Sequence, residues 1–202
     1  MRSIRESIVF LMSVGVFLGA AGTGFAASPW SFEAEFGMAR MTNSTSGLPS
    51  DVLGDVSPAN GLFLGVDAWK SFGARVEIGS GVHLLPKGLE STTMDGTSTI
   101  TYTSNDQYLS IPVMGRLSFA QDTVYVFGGL SGDLNLVPTE SDAQRRLVFA
   151  SQAGVGVRFG PAQADIRYHR DLTPYFRATE AGVTVEQSFD GFVFAVGYAF
   201  SR

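Results

Sequence analysis

The chain ends with the stretch FVFAVGYAFSR, residues 192–202, in which large apolar side chains occupy every second position. Alternate side chains of a β-strand point to opposite faces, so this stretch predicts a strand with one wholly apolar face. The ends of water-soluble domains usually fray and rarely carry so many large apolar groups. The final strand is therefore expected to have an environment other than water on that face. The face consists of Phe192, Phe194, Val196, Tyr198 and Phe200.

The same alternation recurs along the rest of the chain and predicts seven earlier strands. They are expected at 30–40, 62–69, 74–84, 108–119, 124–136, 148–159 and 162–170, with the last strand starting near Phe189. The connections alternate without exception between long (41–61, 86–106, 137–147, 172–188) and short (70–73, 120–123, 160–161). Transmembrane barrels have tight turns on one side and longer loops on the other. The pattern predicts an all-β fold, an eight-stranded antiparallel up-and-down transmembrane β-barrel.

The composition of the two faces decides between a soluble and a membrane barrel. In a soluble barrel the apolar face points inward and the polar face meets water. Here the polar face contains many glycines and offers little bulk for a solvated surface; they are Gly65, Gly79, Gly81, Gly129, Gly154, Gly156 and Gly197. The apolar face carries Val, Leu, Ile and Phe on every strand. We therefore expect the apolar face outside, against lipid, and the polar face inside.

The first 26 residues are predicted to be a cleaved signal peptide. Arg2 and Arg5 precede a short apolar run at 8–21, and small residues end the segment at Ala26. The alternative is a membrane-spanning helix, which needs about 20 apolar residues, more than this run provides. The expected domains are the signal peptide at 1–26 and a barrel domain at 27–202.

Charge and cysteine content restrict the function. The net charge of the 202 residues is −5, and loss of Arg2, Arg5 and Glu6 with the signal peptide makes it one unit more negative. A nucleic-acid partner would need a basic surface, so none is expected. The chain has no cysteine, which excludes disulfides and cysteine-based metal sites.

Five segments together resemble a known family. They are VHLLPKG (82–88), YLSIPVMGRLSF (108–119), AGVGVRFG (153–160), DIRYHRDL (165–172) and FVFAVGYAF (192–200). Their order and spacing resemble the small, porin-family-like outer membrane β-barrel domains of Gram-negative bacteria. One departure is Leu85-Pro86, where the family tends to have polar residues before Lys87-Gly88.

The resemblance implies an outer-membrane location, outer-membrane lipid as the surroundings and insertion by the barrel assembly machinery. The terminal aromatic strand, with Tyr198 and Phe200, resembles the signal that this machinery recognises. That signal commonly ends on the aromatic residue, whereas Ser201-Arg202 follow here. A monomer is expected.

Charged residues on the polar face are predicted to form a network inside the barrel. They are Glu33, Glu35, Asp67, Arg75, Glu77, Arg116, Asp133, Arg158, Asp165 and Arg167. The interior of an eight-stranded barrel is only wide enough for side chains, and unpaired buried charges are costly. We expect these residues to pair and to plug the barrel. The alternative is a narrow pathway for ions or small solutes.

The Gly160-Pro161 turn predicts a register between the sixth and seventh strands. It sets Arg158 opposite Gln163, Gly156 opposite Asp165 and Gly154 opposite Arg167. We expect the glycines to make room for the long charged neighbours.

No catalysis and no cofactor are expected. His83 and His169 both face inward, on opposite walls, and are expected to be hydrogen-bonded rather than to bind metal. An outer-membrane lipid deacylase would need a serine after YHRD, where Leu172 and Thr173 stand. The loops at 41–61 and 86–106 are rich in Ser, Thr, Gly and Asp and suit contact with the medium or an unidentified extracellular partner. The expected role is therefore structural or interactive, with a channel and a lipid-modifying enzyme as alternatives.

Overall fold

The computed structural model describes residues 30–47, 55–95, 98–120, 123–137, 144–180 and 182–200. At 55–56, 89–95, 98–105 and 180 it describes the backbone alone. The predicted signal peptide and Ser201-Arg202 lie outside the described residues. The strands are β1 (Trp30–Ser46), β2 (Asp55–Phe72), β3 (Val76–Asp95), β4 (Ser98–Phe119), β5 (Val124–Asn135), β6 (Leu147–Phe159), β7 (Ala162–Asp171), β8 (Phe176–Glu180) and β9 (Val183–Ala199). The described residues contain no helix that is long and apolar enough to cross a membrane.

Eight of these strands form a closed antiparallel barrel, as the sequence predicts. Each of β1 to β6 pairs with the next strand, β7 pairs with β9, and β9 pairs with β1 to close the ring. The remaining strand, β8, is not one of the eight strands of the ring. It forms a hairpin with the first residues of β9, beyond the part of β9 that pairs with β7. The last long connection, predicted as loop at 172–188, therefore contains a strand of its own.

The faces of the strands alternate as predicted, with the apolar face outward. Phe194 on the outer wall is 52% exposed, whereas Phe63 on the inner wall is 1% exposed. On β1 the outward apolar series runs from Trp30 to Met38 and ends at Arg40. Ten residues at about 3.3 Å each, tilted by about 40°, span about 25 Å, the height of the apolar belt of a transmembrane barrel.

One end of the barrel is closed by tight turns, and we call it the short-turn end. Gly73 and Gly160 occupy two of these turns with φ of 74° and 61°, where a side chain would be strained. The first turn was predicted at 70–73 but lies at 73–75, because Lys70, Ser71 and Phe72 continue the pairing of β2 with β3.

At the opposite end, which we call the loop end, the paired strands are longer than predicted. The connection predicted as loop at 86–106 continues β3 and β4 as a paired hairpin up to Asp95 and Ser98. The prediction was wrong because the segment is mostly polar and lacks the regular alternation that marks a half-buried strand. Its many threonines favour the extended backbone, and pairing continues beyond the apolar belt. β1 and β2 extend past their predicted ends in the same direction.

Candidate functional site

The lumen near the short-turn end is filled by what we call the lower cluster, made of Glu33, Glu77, Arg116, Arg158 and Gln163. Arg116 donates two hydrogen bonds to Glu33, with Nη1 2.9 Å from Oε1 and Nη2 2.8 Å from Oε2. Arg158 Nη2 donates to Glu77 Oε2 at 2.9 Å, and Gln163 Nε2 donates to Glu33 Oε2 at 2.9 Å. Since these side chains come from β1, β3, β4, β6 and β7, the cluster joins opposite walls of the barrel.

A middle cluster follows, made of Glu35, Asp67, His83, Asp165 and Arg167. Arg167 Nη2 lies 2.7 Å from Glu35 Oε2 and 2.9 Å from Asp165 Oδ2. His83 Nε2 is hydrogen-bonded to Asp67 Oδ1 at 3.0 Å. Arg167 and Asp67 are almost fully buried, so each charge depends on its neighbours rather than on water.

An upper cluster lies nearest the loop end and is centred on Lys87. The ammonium of Lys87 lies 2.7 Å from Asp133 Oδ2 and 2.5 Å from Asp171 Oδ1. His169 Nε2 lies 3.0 Å from Asp133 Oδ2. Asp133, His169 and Asp171 bring three metal-type ligand atoms together. The ammonium of Lys87 contacts both carboxylates and offsets one of their two negative charges, which weakens the attraction for a metal ion.

Two hydroxyls complete the upper cluster. Ser110 and Ser131 donate to Asp133 Oδ1 at 2.6 and 2.8 Å. The backbone N–H of Phe189 donates to Asp171 Oδ2 at 2.9 Å.

Aromatic rings separate and cover the charged groups. The guanidinium of Arg116 lies 3.6 Å from the ring centre of Trp69 and 4.6 Å from that of Tyr125. Arg167 lies between Phe63 and Phe127, at 5.2 and 5.1 Å. A guanidinium is only weakly hydrated, so its flat face can pack on aromatic rings while the N–H groups at its edge donate to carboxylates. The rings therefore fill the space that the ion pairs leave.

The predicted register of β6 and β7 is confirmed, but the role expected of its glycines is corrected. Gly154 pairs with Arg167 and Gly156 with Asp165, as expected. However, the space above Gly154 is occupied by the ring of Phe127 and the space above Gly156 by that of Tyr125, both from β5. The aromatic rings, rather than the charged neighbours, need these positions to lack a side chain.

Apolar side chains close the lumen beside the upper cluster. Met41, Phe63, Leu85, Tyr108 and Val148 belong to one buried cluster on the inner wall. The segment before β8 adds Tyr175, whose ring stacks on Phe189 with centroids 4.5 Å apart. Asn43 Nδ2 donates to the hydroxyl of Tyr175 at 2.9 Å. This contact ties the segment to β1 at the loop end.

All the predicted lumen residues except Arg75 lie in the three clusters. Arg75 is exposed in the turn, because β3 begins one residue later, at Val76. Tyr198 and Phe200 lie on the outer wall, 51% and 68% exposed. Sequence reasoning missed Lys87 and Asp171. The alternation of inward positions would have found both residues. It continues through 83, 85 and 87 on β3 and through 165, 167, 169 and 171 on β7.

An apolar outer belt around an ion-paired lumen, closed by a β1–β9 seam, is the construction of a transmembrane barrel. The family model described as the outer membrane protein beta-barrel domain matches residues 13–201. The chain belongs to this family. Membership of the outer membrane barrel family places the protein in the outer membrane. Barrels of this kind generally have short turns on the periplasmic side.

Solved outer-membrane barrels are among the structures similar to this chain. OprG from Pseudomonas aeruginosa has 11% sequence identity and a TM-score of 0.50, with 88% of this chain and 98% of OprG covered. Neisserial surface protein A has 14% identity and a TM-score of 0.46, with 83% and 96% covered. AlkL, solved in lipid bilayers, has 16% identity and a TM-score of 0.46, with 90% and 94% covered. A search of curated protein sequences found no match. At these identities the likeness to OprG supports the fold alone.

Proposed function

We propose that this protein is a closed outer-membrane barrel with a structural and interactive role, which it performs through its loop-end surface. The observation that carries the proposal is the ion-paired packing of the lumen. The side chains of Lys87, Asp133 and Asp171 are 0% exposed, and those of Arg116 and Glu33 are 2% and 0% exposed. Side chains from opposite walls meet at three levels, so a solute crossing the barrel would have to separate them.

Separating these pairs has a large energetic cost. Removing one partner of a buried ion pair destabilises a protein by about 3–5 kcal/mol, because the other charge stays buried and uncompensated. Arg116 and Arg158 each contact both Glu33 and Glu77. Opening one gap in this network therefore disturbs several pairs at once, which favours a permanently closed lumen.

A narrow cation pathway is the second candidate, and the charge balance of the lumen supports it. Among the described side chains, the three clusters contain more carboxylates than permanent cations. The carboxylates are Glu33, Glu35, Asp67, Glu77, Asp133, Asp165 and Asp171, and the cations are Lys87, Arg116, Arg158 and Arg167. Asp67 Oδ2 and Arg167 Nη1 have no hydrogen-bond partner among the described residues. Water or a small cation at that level would satisfy the carboxylate.

The geometry also supports a role without catalysis. A nucleophilic serine needs a base, usually a histidine, that accepts its proton. Ser110 and Ser131 instead donate to Asp133, the same carboxylate that His169 contacts. These groups are buried in the lumen, away from the lipid that an outer-membrane lipid-modifying enzyme would act on.

Flux measurements on purified protein in liposomes test the proposal. We expect no swelling with small sugars and no potassium flux above that of empty liposomes. A porin of known conductance, reconstituted in the same liposomes, serves as the control for an open lumen. Potassium-selective flux through the wild-type barrel would favour the second candidate, and flux of small sugars would contradict both.

A further inference from the structure

The outer wall carries a groove along the seam where β9 lies between β7 and β1. Its lower part has a volume of about 460 Å³ and is lined by Phe36 and Met38 of β1 and by Phe194 and Val196 of β9. Ala164 of β7 forms part of the lining, and its small side chain leaves room between the large ones. The groove lies within the apolar belt, so its occupant in a membrane is a hydrocarbon chain.

A second pocket of about 260 Å³ lies on the same seam toward the loop end. Its lining includes the hydroxyl-bearing residues Ser44, Ser46, Thr173 and Ser188 and the charged residues Arg170, Asp171 and Glu186. One of these charges, Glu186, is paired with Arg177. The seam is therefore apolar in its lower part and hydroxyl-rich above, like a lipid with a sugar headgroup.

Two arginines lie where the two parts meet. Arg40 contributes to the lower groove and Arg170 to the upper pocket, and both are exposed on the outer wall. Neither forms an ion pair with another described residue. The carboxylate nearest in register, Asp190, accepts hydrogen bonds from Tyr168 at 2.7 Å and from Ser44 at 3.0 Å.

The spacing of the arginines sets the size of the headgroup. Arg40 pairs with Phe192 of β9, and Arg170 pairs with Asp190 on the other side of the same strand. Two strand spacings and two residues along the strand separate their Cα atoms by about 12 Å. Arginine binds phosphate in a bidentate geometry, and each of the two side chains has room to bind a phosphate of its own. A sugar headgroup with phosphates at two ends would use both arginines in this way.

We propose that this seam binds one phosphorylated glycolipid of the outer leaflet. An acyl chain fills the lower groove, phosphates bind Arg40 and Arg170, and the sugar lies against the hydroxyls of the upper pocket. The binding site opens on the outer wall, whereas the ion-paired clusters lie in the lumen, and it adds a specific lipid ligand to the structural role proposed above.

Native mass spectrometry of the detergent-purified barrel tests this proposal, with diphosphoryl lipid A as the probe. We expect a one-to-one complex whose affinity falls about tenfold in Arg40→Ala and in Arg170→Ala, as for the loss of about 1.4 kcal/mol each. Ala164→Phe, which fills the lower groove, is expected to reduce binding while both arginines remain. Lys70→Ala is the matched control, since Lys70 is a cation near the short-turn end, close to Trp30 and Phe72.

The heat-dependent gel migration of each variant shows whether the barrel is folded, so loss of binding is scored only for folded protein. Equal losses in Lys70→Ala and Arg40→Ala would overturn the proposal. Binding of phosphatidylglycerol or of dephosphorylated lipid A as tight as that of the probe would also overturn it, because the site would then not recognise a phosphorylated sugar.

Discussion

At the scale of single residues, Arg116 joins two carboxylates and two aromatic rings of the lumen. It donates both hydrogen bonds to Glu33, approaches Glu77 at 3.5 Å and stacks on Trp69. A guanidinium serves here as a planar spacer between an aromatic ring and two carboxylates. Lysine has neither the flat face nor the paired donors for this position.

Arg116→Met is expected to lower the free energy of unfolding by about 3–5 kcal/mol, because Glu33 stays buried with only partial compensation. Arg75→Met is the matched control, since Arg75 is exposed in a turn, and its effect is expected to stay within about 0.5 kcal/mol. Urea unfolding in lipid vesicles, followed by tryptophan fluorescence, measures both. Equal unfolding midpoints for the two variants would show that the lower cluster contributes nothing to stability.

Glycine positions give a second residue-scale prediction. A Cβ atom at Gly79 would lie 2.5 Å from ring carbons of Trp69 and 2.9 Å from the carbonyl oxygen of Ala68. At Gly115, on the neighbouring strand, a Cβ atom would meet no atom within 4 Å. Gly79→Ala is therefore expected to destabilise the barrel by about 1–3 kcal/mol through overpacking, and Gly115→Ala to be neutral or stabilising.

The same urea titration compares the two glycine variants. Trp69→Phe combined with Gly79→Ala is expected to recover part of the loss, because the smaller ring frees space above the strand. If Gly79→Ala is as stable as Gly115→Ala, the ring of Trp69 does not occupy the position described here.

At the scale of elements, the last strand has two tasks. β9 closes the ring, and its end pairs with β1, where the N–H of Phe200 donates to the carbonyl of Phe32 at 2.8 Å. Phe192, Phe194 and Tyr198 of β9 point outward, and the ring of Tyr198 lies edge-to-face with that of Phe200 at 5.5 Å. The backbone closes the barrel, and the exposed rings are available to the assembly machinery. We propose that the machinery recognises them.

Phe200→Ala is expected to reduce the amount of folded barrel in cells more than deletion of Ser201-Arg202, because the exposed ring is lost while the backbone hydrogen bond persists. Heat-dependent gel migration of outer-membrane fractions measures the folded amount. Purified Phe200→Ala is expected to fold into lipid vesicles like the wild type, which separates recognition from stability. Equal yields of both variants in cells would contradict this role of Phe200.

At the scale of the whole molecule, the barrel architecture and much of the lumen follow from periodicity. Alternation of two kinds of side chain predicted the eight strands of the ring, their outward faces and the register across Gly160-Pro161. Alternation also predicts that Lys87 and Asp171 face the lumen, but both lie past the predicted ends of their strands. The sequence pattern does not predict how far the strands stay paired at the loop end, because neither face of the strands is apolar there.

Cross-lumen partners were also beyond sequence reasoning. Arg116 and Glu33 are 83 residues apart and lie on strands that are not neighbours in the ring. Which charges meet depends on the stagger of the strands and on side-chain length, and neither appears in a strand pattern. The same holds for the aromatic rings over Gly154 and Gly156, because nearest-neighbour register gives no information on how a ring leans along the wall.

Single-channel recording in planar bilayers shows whether the lumen is closed. We expect the folded wild-type barrel to insert without discrete conductance steps over a wide voltage range, while a porin of known conductance in the same bilayer gives open steps as the positive control. Stable, uniform openings of the wild-type protein that change size in Arg116→Met or Arg158→Met would contradict a closed lumen, because ions would then pass through the clusters that are described here as closing the barrel.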